Sequence, residues 1–94
     1  MSAIEDFLRV EISYQEMYDE ILSFINSYDI GHDRLECNEY ILKKIDTENF
    51  LIFEEYTNSK GLKEIFNSFS ISKKKLEEKI ENYAKKTLQE NGCS

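Results

Sequence analysis

Apolar residues recur at intervals of three and four along most of this chain, which is the spacing of an amphipathic helix. An early run holds Ile4, Phe7 and Leu8, and a late run holds Leu76, Ile80 and Ala84. The pattern predicts helices over residues 3–10, 13–28, 34–45 and 47–56, a short amphipathic segment over 62–69, and a long last helix over 72–88.

Polar residues stand where several of these helices would begin. Ser2 with Glu5, and Ser13 with Glu16, have the spacing of a capping box. In that motif the hydroxyl and the carboxylate accept hydrogen bonds from two backbone N–H groups that the helix itself leaves unpaired. Ser72 precedes the last predicted helix and is expected to cap it.

One segment is also compatible with a strand. Phe50-Leu51-Ile52-Phe53 is a continuous apolar run, which fits a buried strand as well as a buried helix. No partner strand is visible in the sequence. The chain has no proline and only three glycines, whereas an all-β domain needs many turns. The expectation is one domain, residues 1–94, with an all-α fold: a compact bundle of about five or six helices.

Charge is spread unevenly. The formal net charge is −7, and residues 1–56 hold 14 acids against four bases. Residues 57–94 hold eight lysines against five acids. An acidic field repels nucleic acid and anionic lipid and attracts a basic partner. The sequence therefore predicts a partner of positive charge, with no nucleic-acid and no membrane partner.

The remaining composition favours a cytoplasmic protein. Acids stand near the N-terminus, where a signal peptide has bases, and no apolar stretch approaches the roughly 20 residues of a membrane span. Cys37 and Cys93 are the only cysteines, and two thiols are expected rather than a structural disulfide.

Candidate chemistry is sparse. His32 is the single histidine and lies between Asp29 and Asp33. It could be a base oriented by carboxylates or a metal ligand, but a polar residue in a turn between helices is the favoured interpretation. There is no glycine-rich phosphate loop and no Cys/His cluster of zinc-site spacing. We expect no catalytic residues, no metal and no cofactor, and hence no enzyme.

Two segments resemble a known family. Phe7-Leu8, Ile12-Ser13 and Glu16-Met17 look like the opening of the colicin D type of bacterial immunity protein, and Phe69-Ser70-Ile71-Ser72 with Leu76 and Ile80 is similar to its closing segment. Related immunity proteins serve contact-dependent inhibition systems. The resemblance implies a cytosolic helical protein that neutralises a cognate nuclease toxin, plausibly one that cuts tRNA.

The charge supplies a mechanism for such a function. A nuclease cleft is basic because it binds phosphates, so a protein that lays carboxylates over it would exclude the substrate. The acids expected to make contact are exposed in the predicted helices and turn, and two tyrosines beside them could be anchors, as tyrosine often is at interfaces. These candidate partner-binding residues are Asp19, Glu20, Asp29, Asp33, Glu36, Glu39, Tyr28 and Tyr40.

Other interpretations stay open for these residues. The acids could be a solvated helix surface or helix caps, Asp33 above all, and the tyrosines could lie in the core. A different class of function is a small acidic regulatory or adaptor protein, which would bind a partner helix or a basic protein surface.

Overall fold

A computed structural model describes residues 3–27 and 31–92 of the chain. Within these residues two helices come first, four strands follow, and a long helix comes last. The elements are α1 (Ala3–Glu11), α2 (Gln15–Ile25), β1 (Arg34–Glu36), β2 (Tyr40–Lys44), β3 (Asn49–Thr57), β4 (Lys63–Ser72) and α3 (Lys73–Gly92). The strands form one antiparallel sheet in the order β1-β2-β3-β4.

The predicted all-α bundle is therefore wrong, because the middle of the chain is a sheet. The predicted helices over 34–45 and 47–56 and the amphipathic segment over 62–69 are strands and turns. The strand interpretation of Phe50-Leu51-Ile52-Phe53 was the correct one. Its partners are β2 on one side and β4 on the other. The first and last helices lie where the spacing predicted them.

The central strands are buried on both faces, which explains their continuous apolar runs. Tyr40, Leu42, Phe50 and Ile52 face the helices and belong to the hydrophobic core. Ile41 and Phe53 are cross-strand partners and are also buried, but they lie outside that core cluster. Since successive side chains alternate between the faces of a strand, Ile41 and Phe53 occupy the opposite face.

The three helices cover one face of the sheet. The fully buried side chains that they contribute are Phe7 and Ile12 from α1, Ile21 from α2, and Leu76 and Ile80 from α3. The predicted amphipathic spacing of Leu76, Ile80 and Ala84 is confirmed, since all three are buried. Together they give the sheet a single layer of helices.

The turns of this sheet depend on asparagine and aspartate more than on glycine. Between β2 and β3, Asp46 Oδ1 accepts hydrogen bonds from the backbone N–H groups of Glu48 (2.8 Å) and Asn49 (2.9 Å). Between β3 and β4, Asn58 Oδ1 accepts from Lys60 and Leu62, and Gly61 has a positive φ of 80°. Asx side chains close such turns without proline. A low glycine and proline content was therefore no evidence against a sheet.

Of the serine caps predicted at the helix starts, that of Ser72 is confirmed and that of Ser13 is wrong. Ser72 Oγ accepts a hydrogen bond from the backbone N–H of Lys75 (3.3 Å), so Ser72 caps α3. The N-cap position of α2 is Tyr14, which makes no side-chain capping hydrogen bond. Ser13 instead donates to the carbonyl oxygen of Val10 (3.3 Å). Ser2, the third predicted cap, lies outside the described residues.

Candidate acidic groove

The turn between β1 and β2 is held against α1 by a buried carboxylate. Glu11 Oε1 accepts hydrogen bonds from the backbone N–H (3.0 Å) and the side-chain amide (3.1 Å) of Asn38. Glu11 Oε2 accepts from the backbone N–H groups of Glu39 (2.9 Å) and Tyr40 (2.8 Å). Because the side chain of Glu11 is fully buried, this anchor fixes the turn relative to the helices.

A groove of about 590 Å³ lies where that turn meets the start of α2. It is lined by Tyr14, Glu16, Met17, Asp19, Glu20 and Asn38. Three of these six residues are acids and none is a base. We call this surface the acidic groove.

The three carboxylates of the acidic groove are on one side of α2. Glu16, Asp19 and Glu20 stand at positions i, i+3 and i+4, which are neighbours on a helix surface. All three are exposed, and within the described chain none of them forms an ion pair. Asp19 Oδ1 accepts a hydrogen bond from the amide of Gln15 (3.1 Å). Their negative charge is therefore directed at solvent.

Cys37 lies near the acidic groove, and the negative charge of nearby carboxylates affects its thiol. Burial raises the pKa of Cys37 to about 12, and the carboxylates of Glu11 and Glu20 contribute to the shift because they disfavour a thiolate. Cys37 carries a free thiol. At neutral pH it is protonated, which makes it a poor nucleophile and a poor metal ligand.

An aromatic side chain borders the carboxylates. Tyr14 is 61% exposed and Met17 is partly buried against the core. A tyrosine ring beside carboxylates can bind the alkyl stem or the charged head of a lysine or arginine. The groove thus combines negative charge with an apolar contact, which suits a basic side chain of a protein partner.

The structure brings together only part of the predicted set of partner-binding residues. Asp19 and Glu20 line the acidic groove. Glu39 is exposed in the adjoining β1–β2 turn. Glu36 is exposed at the end of β1 and is the cross-strand partner of Ile41, so it points to the face of the sheet away from the helices. Because the predicted helix over 34–45 is replaced by β1, a turn and β2, Glu36 and Glu39 do not share a helix face.

Tyr40 is not a surface anchor. Its side chain is 2% exposed and packs edge-on against Phe7, with ring centroids 5.6 Å apart. Its hydroxyl donates a hydrogen bond to Asp6. The hydroxyl of Tyr40 and the guanidinium of Arg9 hold the pKa of Asp6 below its usual range. Tyr40 is therefore part of the core, as the alternative interpretation had it.

Three other candidates have different outcomes. Asp33 is exposed, but it precedes a strand instead of capping a helix, and its carbonyl oxygen accepts a hydrogen bond from the backbone N–H of Lys44 (2.8 Å). Tyr28 and Asp29 lie outside the described residues. Tyr14, Glu16 and Met17 are not among the predicted partner-binding residues, because Glu16 has the spacing of a capping box and Met17 has the spacing of a buried helix position. The spacing of Glu16, Asp19 and Glu20 was the signal that could have identified the groove.

In residues 3–27 and 31–92, no group of three or more histidines, cysteines and acids is placed to hold a metal ion. No helix in those ranges is both long and apolar enough to span a bilayer. His32 is exposed, and its ring makes a T-shaped contact with the ring of Phe24, with centroids 5.8 Å apart.

Comparison with known proteins gives no family assignment. No protein-family model matches the chain, no curated protein matches it, and no solved structure matches its fold. The function therefore has to be argued from the acidic groove and from the distribution of charge.

Proposed function

We propose that this protein is a non-enzymatic inhibitor that binds a basic partner protein through its acidic groove. The observation that carries the proposal is the set of three carboxylates on α2, exposed and without an ion-pair partner in the described chain, beside the exposed ring of Tyr14. A cationic segment of a partner would supply the missing counter-charges. The overall charge of −7 would add long-range attraction.

The most specific form of the proposal is immunity to a nuclease toxin in the cytoplasm. A toxin that cuts RNA must hold phosphates with lysines and arginines, so its active-site cleft is positively charged. This charge is opposite in sign to that of the acidic groove. The resemblance of 7–17 and 69–80 to colicin D-type immunity proteins supports the same partner class. That resemblance also implied a helical protein, and this chain has a four-stranded sheet in place of the expected middle helices. The support from charge is independent of that difference.

The test is to identify the protein that co-purifies with this chain from its native host, and then to measure the association kinetics of the two purified proteins by stopped-flow over a salt series. Replacing Glu16 and Glu20 together by glutamine should slow association about tenfold at low salt, because charge near an interface acts mainly on the on-rate. The effect should fade as salt rises, since a Debye length of about 8 Å at physiological ionic strength screens the attraction.

A matched control removes the same charge elsewhere. Glu78 and Glu81 are exposed on α3, so their replacement by glutamine changes net charge equally and should leave association within about twofold of the wild type. Equal slowing in both double variants would mean that only net charge matters and would contradict a role for the groove. Salt-independent association would favour the adaptor alternative, with an apolar interface.

A further inference from the structure

The far side of the sheet ends in a long strand without a neighbour. β4 spans ten residues and, among the described strands, pairs only with β3. Its side chains are exposed over residues 63–68. β1, at the other edge, has only three residues. An exposed edge of this length presents unpaired backbone N–H and C=O groups to any strand that can add to it.

The β3–β4 hairpin also carries large apolar side chains in solvent. Tyr56 is 50% exposed, Leu62 62%, Ile65 54% and Phe66 42%. The rings of Tyr56 and Phe66 stack on each other with centroids 4.7 Å apart, so they form one flat apolar surface. Natural proteins usually protect such an edge with charge or cover it.

A β-bulge determines which side chains of β4 share a face. Ile52 pairs with Phe69 and Glu54 pairs with Phe66, so β4 has one residue more than β3 in this interval. The extra residue lies at Asn67 and Ser68, and Asn67 has a positive φ of 52°. As a result Glu64, Phe66, Phe69 and Ile71 all point to the helix side of the sheet, because cross-strand partners share a face.

A second groove, of about 500 Å³, runs along this edge on the helix side. It contains the apolar side chains of Ile4, Phe69 and Ile71, and it is bordered by Lys75 and Lys79 of α3. Neither lysine has an ion-pair partner in the described part of the chain, and neither does Glu64. We call this surface the edge groove.

From these features we infer that the chain forms a symmetric dimer in which the β4 strands of two copies pair antiparallel about a two-fold axis at Asn67 and Ser68. In this register Phe66 lies across from Phe69 of the partner subunit, and Glu64 lies across from Ile71 of the partner subunit. The rings of Tyr56 and Phe66 in each β3–β4 hairpin then cover the apolar side chains of the edge groove in the other copy. Each Glu64 comes close to Lys75 and Lys79 of the partner subunit, which border that groove.

The complementarity of this arrangement identifies a second copy as the occupant. Because of the bulge, residues on the helix side of one β4 strand lie opposite residues on the helix side of the other, both before and after Asn67 and Ser68. A single two-fold axis at these residues is therefore compatible with all the cross-strand pairs. The exposed Glu64 of one copy meets the unpaired lysines of the other, and the exposed ring of Phe66 meets the partly buried ring of Phe69 of the partner subunit. The result is a continuous eight-stranded sheet. Because the acidic groove lies at the β1–β2 turn, the dimer leaves both acidic grooves open, and this inference does not depend on the proposed function.

Sedimentation equilibrium of the full chain tests the inference. The wild type should be a dimer at micromolar concentration. Glu64→Lys should weaken it by about tenfold for each of the two symmetric contacts, hence roughly a hundredfold, because it sets lysine against Lys75 and Lys79. Adding Lys75→Glu and Lys79→Glu to the same chain should restore most of the affinity. Glu78→Lys makes the same change in net charge away from the edge groove and should leave the dimer intact.

Hydrogen exchange identifies the strand that is covered. Protection of backbone amides in 63–72 should rise with protein concentration in the wild type and should not rise in Glu64→Lys. Circular dichroism checks that each variant is folded. A wild type that stays monomeric up to millimolar concentration would overturn the inference. A dimer that Glu64→Lys leaves unchanged, or whose formation does not protect 63–72, would overturn it too.

Discussion

Glu11 shows how a single residue determines where the acidic groove lies. Its carboxylate is the acceptor for four N–H groups of the β1–β2 turn, and it lies at the last position of α1. A buried charge is costly unless hydrogen bonds compensate it, and here both oxygens have two donors each. Asn38, which lines the acidic groove, is one of the residues that Glu11 holds. The shape of the groove thus depends on a side chain outside it.

Replacing Glu11 by glutamine tests this anchor. The amide nitrogen would face two of the four N–H donors and leave them without an acceptor. We expect the free energy of unfolding to fall by about 2–5 kcal/mol, measured by urea denaturation. Glu39→Gln, an exposed neighbour on the same turn, is the control and should change stability by less than about 0.5 kcal/mol. A Glu11→Gln variant as stable as the wild type would contradict the role of the anchor.

At the scale of elements, the helices at the ends of the chain could be predicted and the sheet could not. Ile4 and Leu8 in α1, like Leu76 and Ile80 in α3, stand four residues apart because one face of each helix packs against the core. In β2 and β3 the central residues are buried on both faces, which removes the alternation that normally identifies a strand. Continuous apolar runs of three residues in β2 and four in β3 fit either structure, so the neighbouring strands are needed to distinguish a strand from a helix.

One strand did carry its own signal. Ser68-Phe69-Ser70-Ile71-Ser72 alternates strictly between polar and apolar residues, which is the pattern of a half-buried strand. The sequence analysis divides this stretch, because residues 68 and 69 fall in the predicted amphipathic segment over 62–69 and Ser72 is the predicted cap of the last helix. The Ser72 cap was right, but the five residues before α3 belong to β4. Only two of the six residues that line the acidic groove were predicted: Asp19 and Glu20 needed only helical spacing, whereas the contribution of Asn38 required the sheet.

Ser13 and Ser72, the two predicted serine caps among the described residues, give a matched pair of variants. Ser72→Ala removes the hydroxyl oxygen that accepts a hydrogen bond from Lys75, so it should lower the free energy of unfolding by about 0.5–2 kcal/mol. Ser13→Ala removes no capping hydrogen bond and should change it by less than about 0.5 kcal/mol. Thermal and urea denaturation of both variants give the comparison. Equal losses would mean that Ser13 caps α2 after all.

At the scale of the whole molecule, unpaired acids near a binding surface have a cost in stability. Glu16 and Glu20 form a like-charge pair at i and i+4 on α2, and no base in the described chain offsets them. Glu78 on α3 is also acidic, but it stands four residues after Lys74 and three after Lys75. The same residue type is thus in a repulsive setting on one helix and in an attractive setting on another. A surface kept for binding should show this difference.

The last prediction compares these two glutamates. Glu20→Gln relieves the repulsion in the acidic groove and should raise the free energy of unfolding by about 0.2–0.5 kcal/mol at low salt. Glu78→Gln loses an attraction of similar size, so it should lower the free energy of unfolding although the net charge changes equally. Both differences should shrink in high salt, where surface charges are screened. Urea denaturation at two salt concentrations measures them. Stabilisation by both variants would show that net charge alone determines the effect. Destabilisation by Glu20→Gln would mean that the Glu20 carboxylate already has a partner within the protein, and would contradict its role as an unpaired charge in the acidic groove.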